Sequence, residues 1–299
     1  MTATRSIALI LTTRDRRWEL LRLFDSLAGQ TNADFVVRLG DQNPPGYLDD
    51  ILALYTDRLR IERVTLEPMG LSRARNILLP QVQEDIVVLP DDDCWYLPDT
   101  LERVADTFSR RSDIDVLLGQ WTNKKPVVAA SPEKTRPVNS PYSLFFSASS
   151  ITLFFRAAVF QSLLFDENFG IGCPTRFQSG EETDLLLRAR DAGFSIAGAP
   201  SIAVRHDNPP LDAPWMPKKA RSYARGRMAL LRKHKMPLWF RLANIVYPLA
   251  ALPLDCVREC RRAALYRWAM FGGRVNGALQ CSAGVPDRLE DAADAGRVK

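Results

Sequence analysis

Three consecutive carboxylates, Asp91-Asp92-Asp93, follow directly on the apolar run Ile86 to Leu89. Side by side they repel one another unless something positive sits among them, and the end of a buried strand is where ligands gather in open α/β sheets. A hard divalent cation meets both conditions. Mg2+ or Mn2+ prefers carboxylate, water and phosphate oxygens, so the triplet points to a ligand carrying a diphosphate. The bland alternative is an acidic turn that caps the next helix.

A second group is Gly180-Glu181-Glu182-Thr183-Asp184-Leu185-Leu186-Leu187-Arg188. Gly180 supplies a turn, the carboxylates fall in a first helical turn where the dipole favours them, and the leucines bury the rest. A carboxylate held there stays ionised and suits a general base; the alternative for Glu181 and Glu182 is decoration of the helix start. Asp184 and Arg188 are spaced to pair with each other. His206, after the apolar run Ile202 to Val204, is a structural imidazole or a metal ligand.

These residues need a frame, and the periodicity of residues 1–214 supplies one. Short apolar runs alternate with amphipathic stretches, the pattern of a mostly parallel α/β sheet. Strands are predicted at Ile7 to Leu11, Phe35 to Leu39, Leu59 to Val64, Ile86 to Leu89, Val116 to Gly119, Ile151 to Phe155 and Ile202 to Val204. Helices are predicted from Trp18 to a stop at Gly29, around Leu48 to Tyr55, from an N-cap at Ser72 through Leu79, and at Glu182 to Ala192. Thr122 to Ser143, with four prolines, reads as a long loop of the functional or mobile kind.

The 299 residues are 46% hydrophobic and 25% charged, which is globular composition. Five cysteines without a CxxC pair or a Cys/His cluster suggest neither a disulfide framework nor a zinc module. With no signal-type apolar region after Met1, the reducing cytoplasm is the expected compartment.

The net charge of +5 hides an asymmetry. Residues 1–214 carry 23 Lys and Arg against 29 Asp and Glu, residues 215–275 carry 14 against 2, and residues 276–299 carry 3 against 4. The chain therefore divides into an acidic globular domain (1–214), a basic helical extension (215–275) and a polar tail (276–299) expected to be disordered. Within the extension, the uncharged run Leu242 to Leu254 makes only about 20 Å of helix and holds Pro248 and Pro253, so it is expected to be interrupted and too short to span a bilayer. Basic residues flanking Trp239, Phe240, Tyr247 and Trp268 suit an anionic membrane surface, with aromatics at headgroup depth. The alternatives are a helical hairpin packed on protein, and nucleic acid, which the acidic body disfavours.

The order Thr12-Thr13-Arg14, Asp41, Gly70-Leu71-Ser72-Arg73-Ala74-Arg75-Asn76, Asp91-Asp92-Asp93, Gly180-Glu181-Glu182-Thr183-Asp184 and His206 resembles the family 2 glycosyltransferases over roughly residues 5–208. Those are inverting enzymes of the GT-A fold, a Rossmann-like, mostly parallel mixed sheet flanked by helices. The resemblance implies a nucleotide-diphospho-sugar donor, a divalent metal (Mn2+ or Mg2+), and displacement at the anomeric carbon with inversion. It places Thr12 and Arg14 in the loop contacting the nucleotide diphosphate, Asp41 beside the nucleobase and Arg75 along the nucleotide edge, where an arginine offsets phosphate or holds the acidic triplet in place. It makes Asp93 the first metal ligand, with Asp91 or Asp92 facing ribose or the metal's waters, Asp91 also eligible as a ligand, and His206 as a further one. The family usually carries Glu-Asp where this chain carries Glu181-Glu182, so Glu182 aligns with the base and Glu181 stays open.

If the basic extension sits on the inner face of the cytoplasmic membrane, a glycan or lipid-linked acceptor in surface polysaccharide assembly follows. Two rivals share the fold. A nucleotidyltransferase would want a glycine-rich basic loop after the first strand, and Thr12 to Arg17 has no glycine. A non-catalytic nucleotide-sugar-binding or membrane scaffold protein would tolerate loss of the acidic groups, and all of them are present.

Overall fold

Ile7–Thr13 forms β1, whose apolar run is buried along nearly its whole length, as expected of a strand covered on both faces. The amphipathic helix α1 (Trp18–Ala28) follows and ends at Gly29, whose N–H bonds the Asp25 carbonyl, while the Gln30 N–H takes that of Leu27. The computed structural model describes residues 5–123, 135–207, 213–258 and 260–280, the side chains of 253–263 and 280 excepted. The chain divides into two units, one of Met1–Met69, Ala74–Phe165 and Leu185–Asn208, the other of Gly70–Arg73, Asp166–Asp184 and Pro209–Lys299.

The first unit is built on a mixed sheet. Its strands are β1, β2 (Phe35–Asp41), β3 (Ile61–Thr65), β4 (Ile86–Val88), β5 (Cys94–Tyr96), β6 (Val116–Thr122), β7 (Arg136–Pro137), β8 (Leu153–Arg156) and β9 (Ile196–His206). Their spatial order is β3-β2-β1-β4-β8-β6-β9-β5, with β7 paired to β9. The β1, β2, β3 and β4 pairings are parallel, as is β6 with β9, whereas β8 runs antiparallel to β4 and β6, and β5 antiparallel to β9. This is the α/β, GT-A type architecture expected from the sequence. Leu20, Leu23, Phe24, Leu101, Val104 and Phe108 of α1 and α4 (Thr100–Arg110) bury against the strands in one core.

Because β1, β2 and β4 are parallel, their carboxyl ends open on one edge of the sheet. The register pairs Thr12 with Gly40 and Thr13 with Asp41. A side chain at Gly40 would meet Leu66, Leu78 and Thr12, so glycine lets this edge close tightly. The remaining helices that span parts of this unit are α2 (Asp49–Ala53), α3 (Leu71–Leu78), α5 (Pro141–Ser147) and α6 (Glu181–Asp191).

The basic extension is helical: α7 (Met216–Lys233), α8 (Leu238–Arg258) and α9 (Cys260–Gln280) belong to the second unit. A Cβ on Gly273 would strike the Arg221 carbonyl and one on Gly277 would crowd Arg225, so this Gly-x-x-x-Gly pair sets the close approach of α9 to α7. No described helix is long and apolar enough to cross a membrane.

Four expectations change. Ser72 lies inside the first turn of α3 and donates to the Phe169 carbonyl at 2.6 Å rather than capping the helix. The stretch 122–143 holds the end of β6 and, after residues 124–134, β7 and the start of α5; residues 124–134 lie outside the described residues, as do 281–299 of the tail. Residues 276–280 are helical, the last turn of α9.

The fourth change concerns Pro248 and Pro253, which lie within α8 without ending it. Proline at 248 has no N–H for the carbonyl four residues back, that of Asn244, and the buried Arg274 guanidinium donates to this oxygen instead. The Asn244 side chain further accepts from Arg227 Nε at 2.7 Å, so α7, α8 and α9 meet at one residue. Burial pushes Arg227 and Arg274 down to about 10. Both remain charged at neutral pH.

Candidate functional site

The site residues of the first unit gather at the carboxyl edge of the sheet. After β1 the chain turns through Asp15, which takes a positive φ of 58° and donates its N–H to Asn43 Oδ1 at 2.6 Å. A non-glycine residue in that region is strained and is held only where its surroundings fix it. Here the fixing comes from the next strand: Asp41, fully buried, accepts from the Asn43 N–H and Nδ2 at 2.9 and 2.7 Å, and from Arg63 Nε at 2.8 Å. Both oxygens of Asp41 are thus engaged by protein groups. Thr12 is half-buried and Arg14 is exposed, with its Nε 3.7 Å from Asp15.

Each member of the acidic triplet meets a different partner. Asp91 pairs with Arg75 Nη2 at 2.9 Å, and Arg75 is fully buried, with its guanidinium over the Phe165 ring. Arg75 therefore supports the triplet from inside the fold rather than lining a nucleotide edge from the surface. Asp92 accepts from Thr13 Oγ1 at 2.8 Å. Burial, helped by Asp93 and Asp91 and opposed by Thr13 and Arg16, pushes its ionisation up to about 7. Asp93 Oδ1 lies 3.2 Å from His206 Nε2, and its Oδ2 lies 3.8 Å from Arg16. The hydrogen bond to Asp93 raises the His206 pKa above its ordinary value, outweighing burial.

His206 reaches Asp93 because β5 pairs antiparallel with β9, setting Cys94 opposite His206. The backbone at Asp93 is held as well: Arg22 donates to its carbonyl through Nη2 at 2.8 Å, stacks its guanidinium over Trp95 at 3.9 Å and pairs through Nη1 with Asp207 at 2.7 Å. Thr13, Arg16, Arg22, Asn43 and Arg63 complete this edge and are not among the site residues named from the sequence. Only strand register brings them together, although Thr13 and Arg16 do fall in the loop the motif marks.

Among the described residues no three His, Cys, Asp or Glu side chains converge as a ready metal cage. The pair Asp93 and His206 nonetheless offers a carboxylate and an imidazole at hydrogen-bond separation, beside a carboxyl of Asp92 whose charge is disfavoured. That donor set fits a hard divalent cation that takes its other ligands from water and phosphate.

In the second unit Gly180, at a φ of 92°, turns the chain into α6, and a side chain there would strike Leu230. Glu181 is 5% exposed and its carboxylate packs against Gly170, where an added Cβ would come within 3.2 Å. Glu182 is half-buried. Asp184 is fully buried, with Lys233 Nζ and His234 Nε2 at 2.6 and 2.8 Å from its Oδ1. Cys94 and Cys173 are free buried thiols; the side chains of Cys256 and Cys260, and Cys281, fall outside the described set.

The family model described as glycosyl transferase family 2 matches residues 8–165. Among solved structures, the chain is similar to S. aureus TarS 1-349, with 16% identity and a TM-score of 0.58 over 94% of this chain and 92% of that one. It is similar to TarS 1-349 in complex with UDP-GlcNAc, at 17% identity and a TM-score of 0.55 over 93% and 92%. It is also similar to the mannosyltransferase PcManGT from Pyrobaculum calidifontis in complex with GDP-Man and Mn2+, at 14% identity and a TM-score of 0.63 over 94% and 88%. No curated protein matches the chain.

Proposed function

The chain belongs to glycosyl transferase family 2, and on that premise we propose that it transfers a sugar from a nucleotide diphosphate to an acceptor hydroxyl in one displacement with inversion. The observation that carries this reading is Asp93 and His206 at 3.2 Å, beside the half-buried Asp92, on the edge where β1, β2 and β4 end. A diphosphate is the ligand chemistry such a site matches. The UDP, UDP-GlcNAc and GDP-Man named with the similar structures support a nucleotide-sugar donor.

A divalent ion, Mn2+ or Mg2+, would be held by Asp93 and His206, and when bound it supplies positive charge to offset that of the departing diphosphate. The protein's own groups do the rest. Thr12 and Arg14 border the diphosphate, while Asp41 and Arg75 act from inside, keeping Asn43, Arg63 and Asp91 in place. Glu182 takes the acceptor hydroxyl proton as that oxygen bonds to the anomeric carbon, and the carbon–oxygen bond to the diphosphate breaks with its electron pair leaving on the nucleotide. Glu182 is favoured over Glu181 because it retains exposure, whereas Glu181 is buried against the Gly170 segment.

The acceptor is proposed to be lipid-linked. On α8, Leu238, Trp239, Leu242 and Val246 are exposed at helical spacing, and Trp268 is exposed on α9, in a segment with 14 basic and 2 acidic residues. That combination suits the surface of an anionic bilayer, with the enzyme peripheral to it.

The test is hydrolysis of a panel of nucleotide sugars by the purified protein with Mn2+, Mg2+ or EDTA. Metal-dependent release of one sugar, lost in Asp93→Ala, is the expected result. Glu182→Gln should lower transfer by about 10²–10⁴-fold while nucleotide binding persists. Absence of metal-dependent nucleotide binding across the panel would overturn the assignment.

A further inference from the structure

A carboxylate with no exposure is retained in a fold only where its charge is answered, and Asp184 is answered from a distant stretch of sequence. Lys233 Nζ and His234 Nε2 both meet its Oδ1, at 2.6 and 2.8 Å. Lys233 also reaches Asp166 Oδ2 at 2.6 Å and lies over the Phe169 ring at 5.2 Å. One ammonium thus ties the end of α7 to the start of α6 and to the 166–169 segment. That segment leads into Gly170, against which the Glu181 carboxylate packs.

The end of α7 is built in a strained form. His234 is its C-cap, and Lys235 follows at a φ of 49°, a left-handed conformation normally left to glycine. The Lys235 N–H bonds to the Arg232 carbonyl and the Met236 N–H to the Leu231 carbonyl, closing the helix in a Schellman turn. Glycine is the relaxed choice at that position; here a lysine is held in it directly after the two residues that meet Asp184.

Helix geometry connects this clamp to the residue proposed as base. Successive residues are rotated by about 100°, so Glu182 lies some 160° around the helix from Asp184. A helix start fixed on its Asp184 side has its rotation fixed, and with it the direction in which Glu182 is presented. Resting on the transferase reading above, we infer that Lys233 and His234 are positioning residues, acting through Asp184 to set the carboxylates of the first turn of α6. The basic extension is then a working part of the enzyme as well as a surface.

Full-length His234→Ala, His234→Gln and Val104→Ala separate this role from general stability, since Val104 is a core residue of α4 with no part in the clamp. Hydrogen exchange of the 180–186 amides is expected to quicken at least tenfold in His234→Ala relative to Val104→Ala at matched loss of Tm, and to return toward wild type in His234→Gln. With the donor found by the panel, kcat should fall at least tenfold in His234→Ala with donor KM within twofold, and Val104→Ala should show no such split. Equal exchange at 180–186 in the two alanine variants, or faster exchange with kcat unchanged, overturns the inference. A wild-type protein that neither binds nor turns over any donor overturns the transferase reading and the catalytic meaning of the clamp with it, and the exchange difference, which needs no substrate, tells that failure from failure of the clamp.

Discussion

Asp92 shows how a single site residue can work against the fold that holds it. Its carboxyl ionises near 7 because burial and its acidic neighbours outweigh the help of Thr13 and Arg16. A carboxyl whose folded value is raised contributes stability that is fully present below the ordinary value of about 4 and is lost as pH rises through 7. Asp92→Asn is therefore expected to raise Tm at pH 8 in metal-free buffer and to leave it unchanged near pH 4, as followed by thermal melts across that range. Added Mn2+ should narrow the pH 8 gap by stabilising the wild type. An equal gain at both pH values would mean that packing, not charge, sets the effect. The triplet alone marked the acid at 92 as a candidate, but its protonation was not legible, because burial depends on what the sheet edge brings around it.

Pro248 makes the corresponding case for a whole helix. Read locally, a proline six residues into an apolar stretch ends the helix, yet α8 continues because Arg274 of α9 meets the Asn244 carbonyl that Pro248 leaves open. Removing the donor in Arg274→Leu strands a buried carbonyl and should cost about 1–3 kcal/mol by chemical denaturation. In the Pro248→Ala background the restored N–H serves that carbonyl, so the same substitution should cost clearly less. Additive effects in this double-mutant cycle would contradict the substitution of one donor for the other. The α7 terminus offers a simpler check, since Lys235→Gly relieves the left-handed strain and should stabilise the protein by about 1 kcal/mol.

At the scale of the molecule, an acidic stretch of 214 residues and a basic helical extension are carried on one chain. A truncation at the 214/215 boundary would remove Lys233 and His234 and strand Asp184, so membrane binding is better tested in the full chain. Flotation with vesicles containing phosphatidylglycerol should recover the wild-type protein, and the Trp239→Ser and Trp268→Ser double variant should float less while keeping its Tm, because both tryptophans are more than half exposed. Raising the salt concentration should weaken binding, as expected for basic side chains near an anionic surface. Flotation unchanged by the double variant, or equal on neutral vesicles, would remove the membrane reading and leave α8 and α9 as a protein-facing pair.

The sequence by itself determined the α/β class, the parallel strands β1, β2 and β4, the helix begun at Gly180, and the acidic triplet at a strand end. These follow from period, turn residues and charge within a window of ten or so residues, where local sterics and burial decide the outcome. Tertiary structure alone decided that His206 stands at Asp93, that Arg75 is buried beneath Asp91, that Lys233 and His234 close on Asp184, and that Arg274 keeps α8 whole. Each of those contacts joins residues on different elements, sixteen or more positions apart, through strand register or the packing of one element on another. Such pairings depend on how whole elements come together, and nothing in a local run of residues encodes the partner.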